Sequence, residues 1–158
     1  MSAAIKTNAS LSPDSVLEGG CHCQSIRFRI TVQSDQLSIL DCNCSICTMK
    51  GYLHLIVPQN QFQLLKGSHS TDGTIGTYTF GTHTAKHHFC RQCGITPFYR
   101  ARSHPDDYDV NLRCLDDYYA VVEKISVIPF DGKDWDKAAS TLRARLSSAS
   151  VVPAPRPQ

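Results

Sequence analysis

Asp41-Cys42-Asn43-Cys44-Ser45-Ile46-Cys47 places three cysteines within six residues. Disulfides among such close neighbours would be badly strained. Three thiolates at this spacing suit a tripod around one soft metal ion. Zn²⁺ prefers thiolate and takes four ligands, so a tripod leaves one position to fill. A fourth side chain there makes the site structural. Water or substrate there makes it catalytic.

Two further groups flank the tripod in sequence: Cys21-His22-Cys23, and Cys90-Arg91-Gln92-Cys93 followed by Gly94. In an extended segment residues i and i+2 share a face, so Cys21 and Cys23 are expected to form half of a tetrahedral site. C-x2-C before Gly is the sequence form of a zinc knuckle. The simplest partition joins the two pairs into a closed four-thiolate site and leaves the tripod to hold a second, open zinc. Two rival partitions fit the same spacings. One adds Cys114 to the tripod and makes both sites structural. The other shares the tripod with Cys90 or Cys93. Left alone, Cys114 reads as a small buried apolar residue.

Histidines supply the remaining candidates. His54, on a short apolar strand after the tripod, could approach the open position. His87 and His88 are adjacent on a strand, so at most one faces a site. His22 points away from the metal its neighbours would hold. A buried structural histidine is the commoner use of each. Arg27 and Arg29 read as a solvated strand face.

The chain has 158 residues, room for one domain, and 41% hydrophobic content is enough for a core. Lys and Arg number 16 against 14 Asp and Glu, without the basic footprint of a dedicated nucleic-acid binder. No apolar run approaches the roughly 20 residues of a membrane span. The first eleven residues carry no apolar signal-peptide core. Seven of the eight cysteines, at C-x-C and C-x2-C spacing, therefore read as metal ligands in a reducing compartment. The expected location is intracellular, cytoplasmic or nuclear.

Ile26 to Val32 alternates apolar and polar residues as a half-buried strand does. Leu53–Val57, Phe62–Leu65, Thr74–Phe80 and Thr96–Arg100 also read as strands, and Tyr118–Ile128 as strand-rich. Pro129 to Gly132 reads as a turn. Asp134 would cap a helix from Trp135 to about Leu146, with Ala138, Ala139, Leu142 and Leu146 as its apolar stripe. The expected fold is mainly β: several short antiparallel strands and one C-terminal helix. Residues 1–16 read as a flexible leader, 17–137 as the zinc-binding domain, and 138–158 as the end of the helix and a proline-rich tail.

Taken together, Gly20-Cys21-His22-Cys23, the Cys42–Cys47 stretch, Phe89 to Gly94 and Phe130-Asp131-Gly132-Lys133-Asp134-Trp135 resemble the glutathione-dependent formaldehyde-activating enzyme family. Thr77 to Phe80 and Arg113-Cys114-Leu115-Asp116 look like its centromere protein V branch. The resemblance covers roughly residues 17–137. It implies a zinc-stapled β-tent with two zinc ions per chain. Cys21, Cys23, Cys90 and Cys93 would hold the structural zinc; Cys42, Cys44 and Cys47 would hold the catalytic one. It further implies a carbon–sulfur lyase acting on a glutathione-type thiol adduct of an aldehyde, with glutathione as co-substrate. The alternative is a non-catalytic zinc module with a chromatin or cytoskeletal partner. No general base is evident; His54 and His87 are the candidates.

Overall fold

The structure, a computed structural model, describes residues 11–12, 14–70 and 73–149. Most of the expected leader and the proline-rich end of the tail lie outside the described residues. The strands are β1 (Ser15–Gly20), β2 (Arg27–Val32), β3 (Leu37–Cys42), β4 (Leu53–Val57), β5 (Phe62–Lys66), β6 (Ile75–Tyr78), β7 (Lys86–Cys90), β8 (Phe98–Arg100), β9 (Tyr108–Asn111) and β10 (Ile125–Phe130). The α-helices are α1 (Ser45–Lys50), α2 (Tyr118–Val121) and α3 (Trp135–Ala149). Mainly β architecture with a C-terminal helix is what the sequence leads one to expect.

Alternation builds the smaller sheet, ordered β1-β2-β5. On β2, Phe28, Ile30 and Val32 are buried while Arg27 and Arg29 face outward. Arg27 grips Asp116 with both terminal nitrogens, one of them at 2.8 Å, and Arg29 donates to Glu18 at 2.6 and 2.9 Å. These arginines form the charged outer face that the pattern implies.

The larger sheet runs β10-β3-β4-β9-β8-β7-β6. Its pairings are antiparallel except the outermost, where β10 lies parallel to β3. A parallel neighbour needs a crossover rather than a hairpin. The chain makes it through α2 and a helical turn at Val122–Lys124. Tyr118 to Lys124, expected as strand, is therefore helical; it buries Val121 completely. Pro129, expected in a turn, sits in β10, an edge strand where its missing N–H costs no ladder bond.

The two sheets meet over an aromatic core. Phe28 lies 6.0 Å from Phe98 edge-on, and Phe62 stacks on Tyr108 at 3.8 Å. Leu11 is also buried in this core, and β1 starts at Ser15, inside the stretch read as leader. In α3, Ala139 and Leu142 are buried as the apolar stripe implies.

Gly19 is held where β1 crosses the segment after Cys114. A Cβ there would lie 2.4 Å from the Cys114 carbonyl oxygen and 2.7 Å from the Phe28 ring. Gly19→Ala is therefore expected to destabilise by about 1–3 kcal/mol through overpacking. At about 2–4 °C per kcal/mol for a domain of this size, a thermal melt resolves that loss. An unchanged melting temperature would contradict the close approach.

Candidate functional site

The first cysteine group forms where two turns meet. Cys21 follows β1 and Cys23 lies in the turn to β2; Cys90 ends β7 and Cys93 lies in the turn to β8. Their four sulfurs lie within 4.8 Å of one another. Cys23 Sγ is 3.5 Å from Cys21 Sγ and 3.6 Å from Cys90 Sγ. Four sulfurs at about 2.3 Å from Zn²⁺ define tetrahedron edges of about 3.8 Å. The donor set and its spacing fit a closed thiolate site.

The local route differs from the extended one expected. Cys21 to Ser25 is a turn, with Gln24 at φ +60° and its N–H 3.0 Å from the Cys21 carbonyl. Two residues later the chain turns back, and the Ile26 N–H donates to Cys21 Sγ at 3.3 Å. Gly94, at φ +76°, closes the second turn with its N–H 2.9 Å from the Cys90 carbonyl. Such turns aim amides at sulfur and stabilise thiolate. The Ser25 hydroxyl, 3.3 Å from Cys23 Sγ, and the Ser25 amide pull the Cys23 thiol down to about 6; burial pushes Cys21 up to about 12.

Cys42, Cys44 and Cys47 form the second group, again with sulfurs within 4.8 Å. Cys42 ends β3, Cys44 occupies the N-cap position of α1, and Cys47 lies in its first turn. The Cys44 side chain makes no capping bond, which leaves its sulfur for the group. Contact with Cys47 pulls the Cys42 thiol down to about 6, and the same contact with burial pushes the Cys47 thiol far up.

The end of β10 braces this loop. Asn43 donates through Nδ2 to Asp131 at 2.9 Å and accepts the Lys133 N–H at 3.2 Å. Gly132 packs directly on the sulfurs: a Cβ there would lie 2.4 Å from Cys42 Sγ and 2.8 Å from Cys44 Cβ. Cys114 belongs to neither group. Its Sγ faces the Thr96 carbonyl at 4.0 Å, and burial, then the nearby Cys21 and Cys93, push its thiol up to about 12. Both rival partitions therefore fall: Cys114 is not in the tripod, and Cys90 and Cys93 are with Cys21 and Cys23.

Beside the tripod opens a cleft of about 720 Å³. The pleat of the large sheet sets its floor. Leu40 faces His54 across β3 and β4; Asp109 faces Tyr99 across β9 and β8; Tyr99 faces His87 across β8 and β7. All five line the cleft, as does Cys42, two residues beyond Leu40 on the same face. Their strand neighbours Leu55, Val110 and Phe98 point into the core instead.

His54 is buried, and its Nδ1 lies 3.3 Å from Asp109 Oδ1 and 3.2 Å from the Tyr99 hydroxyl. The second Asp109 oxygen lies 2.7 Å from His104 Nε2. His54 stands outside the cysteine tripod's ligand group. His87 is a stacked wall residue, 4.8 Å from the Tyr99 ring centroid, and burial pushes its pKa down to about 4. His88 points the other way, to Thr77 at 3.0 Å. His22 is exposed.

Sequence reasoning did not single out Asp109, His104, Tyr99 or Gly132. Asp109 had one signal: it precedes Val110 on a strand, so it faces away from the core side. Nothing in the polar run Ser103 to Asp109 marked His104. Gly132 was read as part of a turn, and its contact with sulfur joins residues about ninety positions apart.

The sequence profile of the family described as glutathione-dependent formaldehyde-activating enzyme matches residues 16–128, which include all seven clustered cysteines. A crystal structure of a Rhodobacter sphaeroides protein is similar with a TM-score of 0.56 and 31% sequence identity, covering 63% of this chain and 87% of that one. With two clusters that could hold metal and a profile match over most of its length, the chain belongs to the glutathione-dependent formaldehyde-activating enzyme family.

Proposed function

We propose that this protein is a zinc-dependent carbon–sulfur lyase that forms or cleaves the adduct of a glutathione-type thiol with an aldehyde. The observation that supports it most is the three-sulfur group at the edge of a cleft whose floor carries a buried histidine. Cys21, Cys23, Cys90 and Cys93 would hold a structural zinc, and Cys42, Cys44 and Cys47 a second zinc with an open position. When bound there, Zn²⁺ supplies a Lewis-acid position that favours a thiol in its thiolate form.

The chain's own residues account for the rest. In the cleavage direction the adduct carries a hydroxyl on the carbon beside sulfur. His54 Nε2 accepts that hydroxyl proton. The O–H electron pair becomes the second bond of the carbonyl, and the C–S pair leaves with sulfur. Return of the proton to sulfur completes thiol plus aldehyde, and the reverse order forms the adduct. Phe80, His87 and Tyr99 give the cleft an apolar aromatic wall. Arg102, 3.2 Å from the Trp135 ring centroid, and Lys133 place cations on the cleft lining, suited to the carboxylates of a glutathione-type thiol. A purely structural role for the tripod needs a fourth protein ligand, and Cys114 is not there. Among the described residues no helix is long and apolar enough to cross a membrane. The need for reduced thiols supports an intracellular location; recovery of the chain chiefly as an oxidised, secreted form would contradict it.

Elemental analysis of gently purified protein is expected to find about two zinc ions per chain, one released first by chelators. Cys23→Ser removes a ligand that ties distant turns together, so this variant is expected to be poorly soluble or unfolded. Cys44→Ser breaks a site built within one loop and helix; it is expected to stay folded, keep about one zinc and lose turnover of a glutathione–aldehyde mixture. If both variants unfold alike, the tripod is structural. If Cys44→Ser retains full turnover, the lyase assignment fails.

Gly132→Ala tests the same centre without touching a ligand. The added Cβ displaces Cys42 Sγ, so the variant is expected to fold, keep the first zinc and bind the second weakly. Titration with a competing chelator reads this directly. Wild-type affinity at both sites would show that the loop carrying Gly132 does not brace the tripod.

A further inference from the structure

Asp109 is a carboxylate that is costly to bury. It is 1% exposed, belongs to the cleft floor, and is not used by the lyase reading above. Burial opposes its charge, yet hydrogen bonds from His104 and His54 outweigh that and hold its carboxyl below the usual range. An ionised carboxylate only accepts hydrogen bonds. His104 donates to it through Nε2–H at 2.7 Å, and because a lone pair on His54 Nδ1 would face the carboxylate, His54 donates through Nδ1–H, shared between Asp109 at 3.3 Å and the Tyr99 hydroxyl at 3.2 Å. On the far side, His104 Nδ1 lies 2.9 Å from the Ser103 hydroxyl, which can donate to it. Every atom of the chain Ser103–His104–Asp109–His54 then has a consistent role, except the last. Among the described residues His54 Nε2 is buried with no hydrogen-bond partner.

A buried polar atom without a partner is costly to keep. Here the orphan sits on a side chain that lines the cleft beside the tripod. A neutral imidazole has one N–H, so donation through Nδ1 leaves Nε2 with a lone pair. An acceptor held in that way is matched by a ligand that brings a donor, such as a hydroxyl, and not by a second acceptor such as a thioester carbonyl.

We infer that Asp109, braced by His104, is a positioning residue that locks His54 with its proton on Nδ1, so that the bare Nε2 selects thiol adducts bearing a hydroxyl beside sulfur. This rests on the lyase reading for its substrate but not for its geometry. The same logic applies wherever a carboxylate sets the tautomer of a working histidine.

The test uses the zinc-loaded full chain labelled with ¹⁵N-histidine. Two-bond proton–nitrogen correlation spectra report which ring nitrogen carries the proton. His54 is expected as the Nδ1–H form; an Nε2–H form in the wild-type protein overturns the inference, whatever the activity. Asp109→Asn is expected to shift His54 toward Nε2–H and to lower kcat about 100-fold, with KM within about twofold and both zinc ions retained. If Asp109→Asn folds with unchanged kcat, or if its loss is all in KM, the positioning role is wrong. Should that variant fail to fold, the wild-type tautomer still decides. The two readings fail separately: Nδ1–H in a protein that turns over no adduct sinks the lyase proposal and leaves the Asp109 lock standing.

Discussion

Four sulfurs from two turns, with 67 positions between Cys23 and Cys90, share a space less than 4.8 Å across. The β1–β2 turn belongs to the small sheet and the β7–β8 turn to the large one, so this cluster ties the two sheets at one end. Ionised thiolates at such distances repel one another strongly when partly buried. Protonated, they give up the amide and hydroxyl bonds aimed at them. A bound cation removes the conflict, and structural zinc is worth on the order of 10 kcal/mol in small domains, comparable with a whole domain's net stability. The position of the two sheets, and so of the cleft on the outer face of the larger one, depends on this junction.

The second cluster has a different physical character. Its cysteines come from one strand end, one cap and one helical turn, so bringing them together closes little chain entropy. What it needs is shape, supplied from far away in sequence. The strand β10 runs parallel to β3, pairs Phe130 with Cys42, and then turns so that Gly132 presents no side chain to the sulfurs. The Asn43 bonds to Asp131 and Lys133 hold the two segments in register.

Between these centres the large sheet sorts side chains by its pleat. One face sends Phe98, Val110 and Leu55 into the aromatic and aliphatic core. The other collects His54, Asp109, Tyr99 and His87 as a polar and aromatic floor. Burying Asp109 there is tolerable because two imidazoles donate to it. That leaves one nitrogen of His54 unanswered among the described residues, on a side chain that lines the cleft with the cysteine tripod.

The sequence by itself determined the cysteine groups, the alternation of β2, the mainly β class and the final helix. Each of these is local: ligand spacing, period-two burial and an apolar helical stripe are legible within a few residues. The tertiary structure alone decided which cysteines meet, because partition depends on how strands far apart in the chain pair. It also excluded Cys114 from the tripod. Tyr118 to Lys124 looked like strand by composition but became the helical crossover that a parallel β10 requires. Asp109 and His104 were invisible as a pair for the same reason: their meaning comes from a shared partner, His54, brought next to Asp109 by cross-strand register, and register is not written in any one strand.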